Sequence, residues 1–140
     1  MPTSDDMKTI AIDINILLDF FLHREKYDQA ERLITQSASG MYNLYIPILV
    51  IFEFAWTLKS YYKIEKAIII DRISAILELP CCEVPDKNRI LNAILLYKET
   101  PQVSLVDCLI ILEAIDNKCA DFASSDSKLI KLYAKLKARK

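Results

Sequence analysis

One glycine, Gly40, serves the whole 140-residue chain, and its scarcity removes whole classes of chemistry. Dinucleotide-binding fingerprints and P-loops each need several glycines to turn tightly and bring backbone close to phosphate, so neither is built here. Histidine is equally scarce: His23 stands alone in Leu22-His23-Arg24-Glu25, with no nucleophile beside it in sequence. A Ser-His or Cys-His catalytic pair would rest on it entirely, and a surface role is the better reading. Cys81, Cys82, Cys108 and Cys119 form no C-x-x-C pair and have no histidine cluster for company. That argues against zinc and against a disulfide frame, and for reduced thiols in a cytoplasmic protein.

An excess of one charge is missing too. Lys and Arg number 18 against 19 Asp and Glu, a formal net charge of -1. Bulk electrostatics therefore gives no pull toward a polyanion, which would need a local basic patch or bound cations. No apolar run is long enough to span a bilayer, because the weakly charged stretch ahead of Glu53 holds Gln36, Asn43 and Pro47. The first residues, Met1-Pro2-Thr3-Ser4-Asp5-Asp6, are polar and acidic, unlike a signal peptide, and read as a flexible leader over 1–6 ahead of one domain over 7–140.

What is present is a globular composition, 53% apolar and 26% charged, with room for a full core. Thr9 to Leu18 reads as a short buried strand running straight into a helix, with Asp13 at the joint. Helices are expected over about Asn15–His23 and Tyr27–Ser39, the second stopped by Gly40. Leu44-Tyr45-Ile46 is a strand, Pro47 suits the first turn of a helix to about Tyr61, and another helix covers about Glu65–Leu79. Cys81–Val84 is a third strand, Asp86–Glu99 a helix, and Ser104 an N-cap for a helix to about Asn117. Ala120–Ala123 is expected as a fourth strand, before a last helix from Ser125 or Asp126. Strands alternating with helices imply an α/β fold, a parallel sheet with helices on both faces. Such sheets gather their chemistry at the carboxyl ends of the strands.

Carboxylates supply the candidate chemistry. Asp13 sits among β-branched apolar residues, and burying an unpaired charge costs at least several kcal/mol. It either caps the following helix or has a basic or metal partner. Glu53 is the only charge in Ile48 to Trp56, and Asp107 the only one in Leu105 to Leu112. A lone acid in an apolar run suggests a half-buried position. Asp126 follows the last expected strand, where it serves as a ligand or as a helix cap. Acids without histidine or thiolate companions suit a hard cation, Mg²⁺ or Mn²⁺, and with it attack on phosphorus.

The order Ala11-Ile12-Asp13-Ile14-Asn15, Glu53 within a helix, Ser104-Leu105-Val106-Asp107-Cys108 and Ser124-Ser125-Asp126 resembles the PIN-domain family over Met7 to about Tyr133. In size the chain is similar to the VapC-like toxin ribonucleases of toxin-antitoxin pairs. The resemblance implies a three-layer α/β/α sandwich with first and fourth strands adjacent, and Mg²⁺- or Mn²⁺-dependent cleavage of RNA. It implies Asp13, Glu53, Asp107 and Asp126 as catalytic metal ligands, supported by Asn15 and Ser124. It also implies a homodimer and a cognate antitoxin. One departure stands out: the family's Thr or Ser after the first acid is here Ile14. That departure motivates a second reading, a catalytically silent PIN-like module that binds RNA or protein. A phosphorylatable receiver-like domain is a third, disfavoured because Asp126 stands where a basic residue would be wanted.

For substrate grip the chain offers a basic C-terminus (Lys128, Lys131, Lys135, Lys137, Arg139, Lys140) and a basic-aromatic cluster of Lys59, Tyr61, Tyr62 and Lys63. Either would hold phosphates or stack bases, and a solvated helix face is the plainer reading. The apolar run Ile68-Ile69-Ile70 suits a dimer or antitoxin surface.

Overall fold

Ile10 and Leu44 stand side by side in a parallel ladder that begins at Thr9↔Asn43 and ends at Ala11↔Tyr45. In this computed structural model, which describes residues 7–139, the ladder joins β1 (Thr9–Ala11) to β2 (Asn43–Tyr45). β2 pairs in turn with β3 (Cys82–Glu83), again parallel, through Leu44↔Cys82 and Tyr45↔Glu83. The sheet order is β1-β2-β3. Between β1 and β2 run α1 (Ile14–Phe21) and α2 (Tyr27–Ala38), and between β2 and β3 run α3 (Ile48–Ser60) and α4 (Lys66–Leu77). Parallel neighbours need such crossovers, because no tight turn can return the chain to the same end. The leader read at 1–6 lies outside the described residues, as does Lys140 of the basic C-terminus.

The chain divides into two compact units, the first ending at Lys87 and the second starting at Asn88. The first contains the sheet and its crossover helices. Its interior is built from Leu17, Leu44, Ile46, Ile51, Phe54, Leu58, Ile69, Ile73 and Ile76, all but closed to solvent. Burial of each such side chain is worth about 1.5–3 kcal/mol, which is why short strands suffice. Ser37 is buried on α2 and ties it to the chain around β2 and β3, its hydroxyl 3.0 Å from the Tyr42 carbonyl and 3.2 Å from that of Cys81.

The second unit is helical: most of α5 (Lys87–Glu99), then α6 (Leu105–Asp116) and α7 (Ser127–Ala138). Ile111, Ile115 and Tyr133 form a cluster sealed by Phe122, Leu129, Leu132 and Leu136. The Phe122 and Tyr133 rings stack with centroids 5.4 Å apart.

Every expected helix is present, with ends shifted by a residue or two. The α/β class with a parallel sheet also stands. Two expectations are corrected. Ala120–Ala123 forms no strand among the described residues. The chain leading into it is held by side chains instead: the Tyr133 hydroxyl and the Lys137 ammonium donate to the Cys119 carbonyl, and Lys137 donates to that of Ala120. The second correction concerns β1, which is not covered on both faces. It is a short edge strand in the order β1-β2-β3, with Thr9 and Ala11 exposed and only Ile12, just beyond it, buried.

With so little glycine, the chain closes turns using other residues in the left-handed region. His23 (φ 51°), Lys63 (φ 55°) and Lys118 (φ 57°) follow α1, α3 and α6. Each costs about 1–2 kcal/mol of backbone strain that glycine would not incur.

Candidate acidic site

Asp13 lies where the first strand hands over to the first helix. Its Oδ1 accepts the Asn15 backbone N–H at 3.0 Å, so it caps α1. Cap and candidate ligand are compatible, because the cap engages one carboxylate oxygen and leaves the other. Asp13 is exposed rather than buried, so the desolvation cost read from its apolar neighbours is not incurred.

A polar network that the sequence reading passed over stands behind this cap. Asp19 is buried within α1, and Arg24 Nε donates to its Oδ1 at 2.8 Å. The same guanidinium donates to the Asn15 side-chain oxygen at 3.2 Å and to the Tyr62 hydroxyl at 3.4 Å. Hydrogen bonds to Tyr62 and Asp19 push the Arg24 pKa up, so the group stays charged. Asn15, read as the support of the first acid, meets Asp13 through its backbone N–H, while its side-chain oxygen accepts from Arg24. The signal was available, since Asp19 is a lone acid between Leu17-Leu18 and Phe20-Phe21 with Arg24 five residues on.

Glu53 occupies the middle of α3 and is exposed, which corrects its expected half-buried position. The cause is that α3 has more apolar residues than its inner face can take. Ile51, Phe54, Ala55 and Leu58 take the interior, which leaves Leu49 and Trp56 in solvent on the same side as Glu53. Among the described residues no hydrogen bond or ion pair engages the Glu53 carboxylate.

In the second unit, Ser104 caps α6 as expected, its hydroxyl accepting the Asp107 backbone N–H at 3.0 Å. That sets Asp107 in the first turn, half-buried, where the helix dipole favours an anion by about 0.3–1 kcal/mol. Asp126 caps α7 by accepting the Lys128 backbone N–H at 2.9 Å, and its own N–H donates to the Ser124 hydroxyl at 3.0 Å. Ser124 thus orients Asp126 through backbone.

All four acids lie at or within helices, Asp13 and Asp126 as caps. An oxygen-only donor set suits a hard divalent cation. Each unit carries two of the acids. Among the described residues no group of three or more His, Cys, Asp or Glu side chains is placed to hold a metal ion.

Of the basic residues read for substrate grip, Lys59 and Lys63 are exposed beside Tyr61, whose ring meets that of Tyr62 edge-on at 4.9 Å. Lys137 is taken up in holding the Cys119 and Ala120 carbonyls. Burial pushes the Cys82 thiol up to about 11, which keeps it in the neutral thiol form near pH 7. No helix among the described residues is long and apolar enough to cross a membrane.

Comparison with known proteins gives a family: the PIN domain family model matches residues 10–135. No curated protein and no solved structure matches the chain.

Proposed function

This chain belongs to the PIN-domain family, and from that premise we propose that it is a metal-dependent ribonuclease, the toxin of a toxin-antitoxin pair. PIN domains are generally nucleases that depend on a divalent metal. The observation that carries the reading onto this chain is the placement of Asp13, capping a helix directly after a parallel strand, in the first part of a family match that runs to residue 135. In this proposal residues 7–140 act as the nuclease domain, and Asp13, Glu53, Asp107 and Asp126 are its catalytic acids and hold Mg²⁺ or Mn²⁺. The bound cation would supply charge stabilisation at phosphate and a water of lowered pKa.

The chain's own residues have definite parts in this scheme. The Asn15 backbone N–H holds one oxygen of exposed Asp13 and leaves the other for a ligand, and Arg24 holds the Asn15 side chain. Ser104 and Ser124 act through the backbone N–H groups of Asp107 and Asp126 and set where those side chains leave the helix. Glu53 orients the attacking water or joins the ligands. Hydrolysis adds that water across a P–O bond, and the departing oxygen takes the proton. The same reading makes the protein a cytoplasmic homodimer inhibited by a cognate antitoxin.

The second reading, a silent module that binds RNA or protein, is favoured by Ile14 where the family carries a hydroxyl. One experiment separates the two. Labelled single-stranded and structured RNAs are incubated with the protein in Mg²⁺, Mn²⁺ or EDTA, beside Asp13→Asn and Asp107→Asn. Cutting that needs metal and is lost in both variants is expected. Binding without cutting, unchanged in either variant, overturns the nuclease proposal and leaves the module.

A further inference from the structure

Glu53 does not stand alone on the outer side of α3. At 3.6 residues per turn, Leu49, Glu53, Trp56 and Ser60 fall on one stripe of the helix. All four are exposed, Leu49 by 66% and Trp56 by 63%. Lys59 lies beside Trp56 in the last turn, and Tyr61, 74% exposed, follows at the helix end. A large indole left in water one turn from a carboxylate and next to a lysine is a costly arrangement for a surface that meets only solvent.

Two kinds of occupant would cover the indole, and the charge on the stripe separates them. An apolar face of another polypeptide laid along it would bury the Glu53 carboxylate, which has no basic partner among the described residues. Stranding a carboxylate in that way costs several kcal/mol. A nucleobase is smaller. It would cover the indole alone and leave Glu53 wet, with exposed Lys59, three residues on in α3, to meet its backbone phosphate. Stacking on an aromatic face is tolerant of sequence, because every base has a π-face.

We propose that Trp56 is a stacking platform for a base of a single-stranded RNA substrate, with Lys59 holding the adjoining phosphate, so that the strand is laid along α3 past Glu53. This deepens the nuclease reading and rests on it for the identity of the strand.

Trp56 is the only tryptophan in the chain, so its emission reports this position and no other. The test titrates a short oligoadenylate RNA into the Asp107→Asn chain in Mg²⁺, with inorganic polyphosphate as the control. Quenching by the oligonucleotide and not by polyphosphate is expected. By gel shift, Trp56→Ala should bind about tenfold more weakly, and Trp56→Phe should recover part of the loss. Equal quenching by polyphosphate, or none by either, overturns the proposal. So does a blue shift that grows with protein concentration in the absence of RNA, which would mean that a second copy covers the stripe. The wild type separates this proposal from the one beneath it. Base-specific quenching in a protein that never cuts RNA keeps the platform and removes the nuclease. Metal-dependent cutting by Trp56→Ala at wild-type KM keeps the nuclease and removes the platform.

Discussion

Arg24 and Asn15 are joined by a hydrogen bond of 3.2 Å from the guanidinium to the side-chain amide oxygen. The backbone N–H of that same asparagine donates to the Asp13 cap, so a cation anchored on the buried Asp19 and the acid at the end of the first strand share one neighbour. Structural and candidate catalytic carboxylates therefore sit on one short helix, and substitutions should tell them apart.

Arg24→Ala leaves the Asp19 carboxylate buried with its ion partner gone. With the Arg24 side chain 33% exposed and that of Asp19 only 9%, solvent screening trims the full buried-pair penalty to about 2 kcal/mol. Urea unfolding should give that loss, and the double variant Arg24→Ala/Asp19→Leu should recover part of it. A single variant as stable as wild type would mean that the pair does not hold α1.

At Asp13 and Asp126, asparagine separates capping from charge. Asn caps as well as Asp does, so Asp13→Asn and Asp126→Asn should keep unfolding free energies within about 0.5 kcal/mol of wild type, whereas Ala costs about 1 kcal/mol at either cap. If the acids act as proposed, both Asn variants lose metal-dependent RNA cleavage while their melting curves overlay the wild type. Stability and cleavage falling together in the Asn variants would assign these acids to folding alone.

Lys118 follows α6 with φ 57° and is exposed. Lys118→Gly relieves the left-handed strain, offset in part by the greater freedom of glycine in the unfolded chain, and should stabilise the fold by about 0.5–1 kcal/mol. Thermal unfolding reads this directly. A lower melting temperature would show that the lysine stem contributes more than the strain costs.

Alkaline pH should weaken the fold. Burial raises the Cys82 thiol from 9.0 to about 11, and desolvation likewise raises Tyr42, Tyr97 and Tyr133. Each of these groups is neutral when protonated, and each folded pKa lies above the unfolded one. The unfolded chain therefore releases protons first, and stability falls as pH rises. For Cys82 the contribution is whole below pH 9 and is lost as pH climbs through about 11. Urea midpoints measured across that range should decline. Under native conditions, iodoacetamide should label exposed Cys119 well before Cys82 or buried Cys108.

By itself the sequence determined the order of the helices and of the strands β1, β2 and β3. Apolar spacing, the Ser104 and Asp126 caps and Pro47 at the start of α3 are local signals, and the helices they announce are all formed. The family resemblance read from the order and setting of the residues agrees with the family model over residues 10–135. Only the tertiary structure decided which side of the largely apolar α3 faces inward. α3 could have hidden Glu53, but packing chose Ile51, Phe54 and Leu58, and Glu53 came out beside Trp56. It also decided that Ala120–Ala123 makes no ladder and that the Cys119 and Ala120 carbonyls accept from α7 side chains instead. Arg24 reaches Asn15 and Tyr62 for the same kind of reason. Side chains that meet across turns and between helices leave no period in the sequence, because folding alone sets which of them become neighbours.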